Sequence, residues 1–400
     1  MSRISIEKAY EDDTFAVLQA DWQQLFAASE CASPFLSWEW LSTWFRWFGA
    51  DRTPFILKAF RDHRLIGLLP LCLQEKKVLG MRLRRLAFIG EDVGGADYLD
   101  LIAAPKDKAE ILAAIFEFLK NENCFDLIAL ENLAGDSATV EFLQNSAGQS
   151  RLRRSKQPTA TCPRINLNGG WETILKQSKR AANFKRRLKQ LEKIPDFEFR
   201  TVTAPFETGA AFERFFRLHE QRWLKNGGSE LSGHPRLASF QRDLIVTLAD
   251  SGSLRFDELW AEGECRASVY GLDDGKTFYY YNAGYDLDWA KLSVGLVLIG
   301  LSVRNAIERG NSVYDFLRGD ETYKFDWAND KTKLITVNLS RRTAPALAFE
   351  GLNRVWFNLK HLSNFVLPDD LAERLKSVKR SWKRKNQLSG AELETAPKAL

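Results

Sequence analysis

The same order of elements is predicted twice along this 400-residue chain. In each half, two strands flank a tight turn, at residues 61–63 and at residues 262–264, and so predict an antiparallel hairpin. Further strands and a helix follow each hairpin, with the helix at about 106–121 and at about 293–309. Elements in this order predict a mixed α/β (α+β) fold of two similar domains, each with a central, largely antiparallel sheet flanked by helices.

The length of the chain agrees with two domains, because 400 residues exceed what one hydrophobic core usually supports. We place the first domain at residues 1–150 and the second at residues 164–345, since the segment 148–163 between them has no hydrophobic periodicity. Helical apolar spacing predicts a C-terminal helical extension over residues 346–380. Residues 381–400 are predicted to be a disordered tail.

Composition excludes several classes of protein. Hydrophobic residues make up 45% and charged residues 27%, as is usual for a folded globular chain. No apolar run approaches the roughly 18–20 residues that span a bilayer, and the N-terminus lacks the apolar core of a signal peptide, so we expect a cytoplasmic protein without a transmembrane segment. Five scattered cysteines and four separate histidines indicate neither disulfides nor a metal site. The C-terminal Trp356, Phe357 and Phe365 leave peripheral membrane contact open as an alternative to packing on the second domain.

Positive charge is concentrated in the segment 176–193, which has the sequence KQSKRAANFKRRLKQLEK. Phe184, Leu188 and Leu191 recur at helical spacing, so the segment predicts an amphipathic helix whose other faces are basic. Two interpretations stay open. The basic faces are either simply solvated, or they contact an anionic ligand such as a phosphate-bearing cofactor, an acidic polymer or RNA.

The chemistry is predicted to lie between Thr277 and Trp327, where an aromatic strand, a helix start, a second strand and a charged turn follow one another. The helix start is Ser293-Val294-Gly295. The first backbone N–H groups of a helix lack partners, and together with the helix dipole they can bind phosphate, which a glycine allows to approach closely. Ser293 is also explained as an N-cap that needs no ligand.

The motifs YYYNAGYD, SVG, AIERG and YDFLRGDETYKFDW of this segment resemble the BioF2-like or CelD-type acetyltransferase domain of the GNAT superfamily. More distantly they resemble the Fem-like aminoacyl transferases, which contain two GNAT-like domains in tandem. The resemblance covers about residues 168–340, with the first half as a degenerate GNAT-like partner domain. It implies tandem GNAT-like domains and a sheet that splays after its fourth strand to hold the pantetheine arm of an acyl-CoA. The sequence departs from the usual phosphate loop, because Gly295 alone remains of its glycines and Val294 stands where many members have Pro.

The resemblance implies acetyl-CoA or another acyl-CoA as co-substrate, bound at Ser293, Val294 and Gly295, with no metal. Acyl transfer from a thioester needs a base for the nucleophile and an acid for the leaving thiolate. Asp315 is the candidate base if burial raises its pKa, and Tyr280 and Tyr323 are candidate proton donors or orienting groups. Each has a structural alternative, namely an ion pair of Asp315 with Arg318 or Lys324, and simple packing of the tyrosines. The candidate substrate-binding residues are His219, Arg222, Trp223, Asn282, Arg318 and Lys324.

Three functions are considered. The first is transfer of an acyl group from acyl-CoA to an amino or hydroxyl group of a small-molecule or glycan-precursor acceptor, for example in exopolysaccharide or cell-envelope biosynthesis. The second is a Fem-like transferase that takes its acyl group from an aminoacyl-tRNA, with the basic helix as the RNA contact. Contact with nucleic acid is not otherwise expected. The third is a catalytically silent scaffold in polysaccharide assembly.

Overall fold

The structure is a computed structural model that describes residues 3–11, 13–29, 33–145, 152–224, 231 and 233–353, with the backbone alone for Trp223 and Leu224. The predicted tail and most of the predicted C-terminal extension lie outside the described residues. Helical backbone begins at residue 344 and continues to residue 353, where the described part ends. No helix in the described part of the chain has the length and apolarity needed to cross a membrane.

The described residues form one sheet of 13 strands with helices on both faces. The strands of the first half are β1 (Ser5–Ala9), β2 (Arg52–Arg61), β3 (Arg64–Val78), β4 (Met81–Phe88), β5 (Ile102–Ala103) and β6 (Leu127–Ala134), and its helices are α1 (Thr14–Ala28), α2 (Trp38–Phe48), α3 (Lys108–Asn121) and α4 (Ala138–Asn145). The strands of the second half are β7 (Arg153–Asn166), β8 (Glu198–Val202), β9 (Leu254–Ala261), β10 (Glu264–Asp273), β11 (Thr277–Tyr285), β12 (Val313–Asp315) and β13 (Asp330–Ser340). Its helices are α5 (Gly170–Gln177), α6 (Ala181–Leu191), α7 (Pro205–Leu224), α8 (Pro235–Leu248), α9 (Val294–Glu308) and α10 (Thr322–Trp327).

Both halves repeat one arrangement. In the first half, β2, β3 and β4 are antiparallel, and after α3 the chain returns as β6, which lies parallel to β4. In the second half, β9, β10 and β11 are antiparallel, and after α9 the chain returns as β12, which lies parallel to β11. The predicted mixed α/β class and the predicted repetition are confirmed.

Strands β7 and β13, the first and last strands of the second half, connect the two halves, and we call them the crossed strands. Strand β7, which follows α4, pairs with β12 and with β13, and β13 pairs with β6 as well as with β7. Residues 153–163 of the segment 148–163, which has no hydrophobic periodicity, belong to β7. The first part of β7 is largely exposed, so no apolar alternation marks it in the sequence. The crossed strands join both halves into a single sheet.

The predicted basic helix over 176–193 is two helices. Helix α5 ends at Gln177 and α6 begins at Ala181. Between them the Ser178 hydroxyl and the Lys179 N–H both donate to the carbonyl oxygen of Asp326, at 3.1 and 3.0 Å. A contact with a segment nearly 150 residues away in sequence thus overrides the local helical propensity.

Two large hydrophobic clusters cover opposite sides of the second-half sheet. One is built mainly from the first half together with α7 and α8. Tyr279 of β11 belongs to this cluster, and Tyr281 packs against it. The other is built from α5, α6 and α9, and Tyr280 belongs to it. Since neighbouring residues of a strand point to opposite faces, the consecutive tyrosines of β11 are divided between the two clusters.

Candidate active site

Strands β11 and β12 separate after a short parallel contact. Their ladder has three pairs, from Thr277 with Val313 to Tyr279 with Asp315, and β11 continues beyond it to Tyr285. Strand β11 also bulges, because Tyr270 of β10 pairs with Asn282 and Gly271 with Tyr280, which leaves Tyr281 unpaired. An opening of this kind agrees with the splayed sheet that the resemblance implies.

A groove of about 290 Å³ lies beside this opening, and we call it the Gly295 groove. Six of the predicted residues line it, namely Arg222, Tyr280, Ser293, Val294, Gly295 and Tyr323. The other residues that line it are Arg180, Asn183, Val269, Ala283, Gly284, Tyr285, Ala290, Leu296, Leu298, Ile299 and Trp327. The structure therefore brings together the predicted phosphate-binding helix start and both candidate catalytic tyrosines.

The start of α9 has an uncommon backbone conformation. Ser293 has φ +56° and ψ 42°, in the left-handed region that residues other than glycine rarely adopt. Its carbonyl oxygen accepts from the N–H groups of Leu296 and Val297, but its side chain makes no capping hydrogen bond. Ser293 thus occupies the N-cap position without the hydroxyl contact that the N-cap interpretation predicts. Strained residues of this kind concentrate at functional sites, and the strain here lies at the edge of the groove.

Tyr280 and Tyr323 interact through their hydroxyl groups. Burial raises the pKa of both phenols, and Tyr323 donates a hydrogen bond to Tyr280. Both hydroxyls therefore stay protonated at neutral pH. Because the Tyr280 oxygen accepts the hydrogen bond of Tyr323, the O–H of Tyr280 is available to donate to a group in the groove.

Asp315 does not belong to the Gly295 groove. Its side chain is buried, with Tyr98 Oη donating to Oδ2 at 2.7 Å and the Leu317 N–H donating to Oδ1 at 2.7 Å. Burial raises the pKa of Asp315 to about 7, although both hydrogen bonds oppose the shift. The raised pKa agrees with the prediction, but the predicted ion pair with Arg318 or Lys324 is not what holds the carboxylate. A tyrosine of the first half holds it instead.

The raised pKa predicts a pH-dependent effect of Asp315→Asn. A folded-state pKa of about 7 against an ordinary 3.8 means that ionising Asp315 in the folded protein is unfavourable. The stability that this group contributes is therefore present below about pH 4 and is lost as the pH rises through 7. We expect the free energy of unfolding of the variant, relative to the unmutated protein, to increase from pH 4 to 7 and then level off. Urea unfolding across this range measures it, and a pH-independent difference would contradict it.

The predicted substrate-binding residues do not form one group. Asn282, Arg318 and Lys324 line a second groove of about 380 Å³, which we call the Arg318 groove. His219 is buried in α7, with Nδ1 3.2 Å from the carbonyl oxygen of Ala283, and burial lowers its pKa to about 4, so the ring is neutral. The side chain of Trp223 lies outside the described residues.

The cations of the Arg318 groove hold the turn that carries them. Arg318 Nε lies 2.5 Å from Asp97 Oδ1, and Arg318 Nη2 donates to the carbonyl oxygen of Ala96 at 2.7 Å. Lys324 is buried, and its Nζ donates to the carbonyl oxygen of Arg318 at 2.9 Å and lies 3.1 Å from Glu321 Oε2. Their structural role is therefore evident from these contacts.

The first-half loop between β4 and β5 contributes to the site, although the sequence does not predict this contribution. Asp97 and Tyr98 of this loop contact Arg318 and Asp315, more than 210 residues away in sequence. The glycines and acidic residues of GEDVGGADYLD were the available signal, but nothing in them indicates the partner. The first half has a cluster of its own at the corresponding place. Glu91 and Glu131, which follow the β4–β6 ladder in sequence, both form ion pairs with the buried Arg85.

Comparisons with known proteins agree with this description. Residues 178–325 match the sequence family described as acetyltransferase (GNAT) domain. The fold is similar to the crystal structure of FemX, with a TM-score of 0.55 and 10% identity over 82% of this chain and 96% of that chain. It is also similar to a conserved protein of unknown function from Bacteroides thetaiotaomicron VPI-5482, with a TM-score of 0.53 and 11% identity over 84% of this chain and 100% of that chain.

No curated protein matches the chain in sequence. At identities near a tenth, the likeness to solved structures concerns the fold alone. The sequence match includes every residue that lines the Gly295 groove except Trp327, and the fold likeness extends over both halves. Residues 178–325 therefore resemble an acetyltransferase (GNAT) domain in sequence, and the two halves together resemble solved structures in fold.

Proposed function

We propose that this protein is an acyl-CoA-dependent N- or O-acyltransferase whose donor binds in the Gly295 groove. One observation supports the proposal above all. The start of α9 and the hydrogen-bonded pair of Tyr280 and Tyr323 line the same groove, beside the opening between β11 and β12. This combination provides both a place for phosphates and a proton donor. We further propose the BioF2-like or CelD-type subgroup, and a small-molecule or glycan-precursor acceptor in the cell-envelope setting that this subgroup suggests.

The residues of the groove suit an acyl-CoA. The amides of Val294 and Gly295 belong to the first turn of α9, where N–H groups lack helical partners and the helix dipole favours an anion. Arg222 adds positive charge to the lining, and Arg180 lies there with its guanidinium paired to Asp326. Arg222 is held over the ring of Tyr285, with its guanidinium carbon 4.8 Å from the ring centroid. We propose that these groups bind the pyrophosphate and orient the thioester.

The roles of the tyrosines follow from their hydrogen bond. The thioester supplies an activated acyl carbon, and a thiolate leaves when an amine or hydroxyl attacks that carbon. Tyr280 is proposed to donate its proton to this thiolate, and Tyr323 to hold the Tyr280 oxygen in position. Asp315 lines neither groove, but it directly precedes Phe316 and Leu317 of the Arg318 groove, on the other face of the sheet. With its raised pKa it is proposed to accept a proton from the nucleophile. The first half then serves the reaction through Tyr98, which fixes Asp315.

Gly295→Leu tests the donor site. A Cβ at Gly295 would lie 3.3 Å from the Tyr285 ring, so a leucine side chain must extend into the groove. We expect acetyl-CoA to raise the melting temperature of the unmutated protein and to bind the variant at least about tenfold more weakly, a loss of about 1.4 kcal/mol. Gly209→Leu is the matched control, because Gly209 is a helical glycine with no atom within 4 Å of its Cβ position. No stabilisation of the unmutated protein by acetyl-CoA or longer acyl-CoAs would sink the proposal.

One observation favours an aminoacyl-tRNA donor as the second candidate. Helix α6 exposes Lys185, Arg186 and Lys189, and the residue before this helix, Arg180, lines the Gly295 groove. A basic surface at the groove is what an RNA-linked acyl group would need. Tight tRNA binding that weakens steeply with salt and is lost in a Lys185→Glu, Lys189→Glu variant would favour this candidate. Acetyl-CoA binding without such tRNA binding favours the first.

A further inference from the structure

The Arg318 groove lies on the opposite face of β11 from the Gly295 groove. Tyr280 lines the Gly295 groove, whereas the next residue, Tyr281, lines the Arg318 groove. The same division occurs on α10, where Tyr323 lines one groove and Lys324 the other. The two grooves therefore share β11 and α10, which contribute neighbouring residues to opposite faces.

The Arg318 groove has one wall from each half of the chain. The first half contributes the loop that includes Gly94, Gly95 and Asp97. The Tyr281 hydroxyl donates to the carbonyl oxygen of Gly94, and the Arg318 N–H donates to Asp97 Oδ2 at 2.9 Å. Gly94 and Gly95 have φ +88° and +67°, which a residue with a Cβ adopts at a cost. The groove is thus fixed by contacts between the halves and not by either half alone.

Gln241 of α8 lines this groove and carries an unused acceptor. It is 1% exposed, and its Nε2 donates to the Tyr281 hydroxyl at 2.9 Å. Because the Tyr281 hydroxyl donates onward to Gly94, it can only accept from Gln241, and this fixes the orientation of the amide. Oε1 has no hydrogen-bond partner among the residues that the structure describes. A buried acceptor is rarely left unpaired in a native protein unless a ligand or water completes it.

We propose that the Arg318 groove binds the acyl acceptor, and that Gln241 Oε1 receives a hydrogen bond from an N–H or O–H of that acceptor. This inference rests on the proposed acyltransferase function. The charges favour a neutral or cationic acceptor over an anionic one. Among the described residues that line the groove, the carboxylates of Asp92, Asp97 and Glu321 outnumber the two cations, and Asp97 and Glu321 already engage both of them.

Three sugars of different charge test the inference on the full chain in the presence of CoA. Glucosamine offers a cationic amine, glucose offers hydroxyls alone, and glucuronate adds a negative charge. We expect titration calorimetry or ligand-observed NMR to show glucosamine or glucose binding more tightly than glucuronate. The stronger of the two identifies an amine or a hydroxyl as the recognised group.

Gln241→Met keeps the length of the side chain but lacks the acceptor atom. We expect it to weaken sugar binding at least about tenfold while its stabilisation by acetyl-CoA stays unchanged. Tyr281→Phe, which releases the amide of Gln241, should give a smaller loss. Gln19→Met on the exposed face of α1 is the matched control and should change neither value.

The outcomes separate this inference from the donor proposal. If acetyl-CoA stabilises the protein but no sugar binds, if glucuronate binds best, or if Gln241→Met binds sugar like the unmutated protein, the acceptor site is wrong and the donor site stands. If acetyl-CoA fails to bind while sugar binding depends on Gln241, the groove binds sugar but not as an acyl acceptor, and both proposals are wrong as stated.

Discussion

Replacing Tyr280 by Phe is expected to lower the rate of acyl transfer by about two to three orders of magnitude, because the variant lacks the proton for the leaving thiolate. The ring itself is retained. Its centroid lies 6.3 Å from that of Tyr314 and 5.5 Å from that of Phe316, and these contacts need no hydroxyl. We therefore expect the folded structure and the affinity for acetyl-CoA to be nearly unchanged.

Thiol release from acetyl-CoA in the presence of an acceptor measures this effect. Tyr323→Phe is the matched control, since it removes the donor that holds the Tyr280 oxygen but leaves the Tyr280 proton, and it should cost clearly less. Burial raises the pKa of Tyr280 above its usual 10, so ionisation of this group should not reduce the rate below pH 10. A Tyr280→Phe enzyme that transfers at the unmutated rate would show that Tyr280 is only a packing residue.

The elements that the sequence predicts well are those set by local patterns. The hairpin of β9 and β10, the aromatic strand β11 and the long apolar helix α9 each carry a regular spacing within about 10–15 residues. The Gly295 groove was predictable for the same reason. Its helix start follows the aromatic strand closely in sequence, so both could be placed at one end of the sheet before any long-range contact was known.

The crossed strands could not be predicted, because strand pairing depends on partners that are far apart. Strand β13 pairs with β6, about 200 residues earlier, and with β7 on its other edge. The sequence of a strand does not indicate its partners. In β7 even the strand itself is hard to recognise, because its exposed, charged part shows no apolar alternation. The bond between Tyr98 and Asp315 spans 217 residues and was hidden in the same way.

The division of the predicted site into two grooves results from the bulge in β11. Tyr280 and Asn282 would point to the same face in a regular strand, and both are predicted from the sequence as residues of the site. The bulge leaves Tyr281 unpaired, so the alternation shifts by one residue, and Asn282 lines the Arg318 groove while Ala283 lines the Gly295 groove. A bulge has no reliable sequence signature when the extra residue is not glycine.

Gly284→Ala is expected to destabilise the fold by about 3 kcal/mol or more, since small-to-large changes in a packed interior commonly cost 1–3 kcal/mol and here the neighbours are backbone atoms that cannot rotate away. An added Cβ would lie 2.4 Å from the backbone nitrogen of His219 and 2.8 Å from the carbonyl carbon of Leu218. Helix α7 therefore packs directly on β11 through this glycine. In Gly284→Ala, α7 and β11 must therefore move apart to make room for the added methyl group.

Separation of α7 from β11 should also impair donor binding, because Arg222 of α7 lines the Gly295 groove and lies over Tyr285 of β11. Denaturant unfolding and acetyl-CoA titration of the same sample measure both effects. Gly209→Ala on α7 is the control. Its Cβ position is free of neighbours, so alanine should raise stability, by up to about 1 kcal/mol, through helix propensity alone. If Gly284→Ala were as stable as the unmutated protein and still bound acetyl-CoA normally, α7 would not be the wall of the donor groove, and the phosphate-binding role of Arg222 would have to be abandoned.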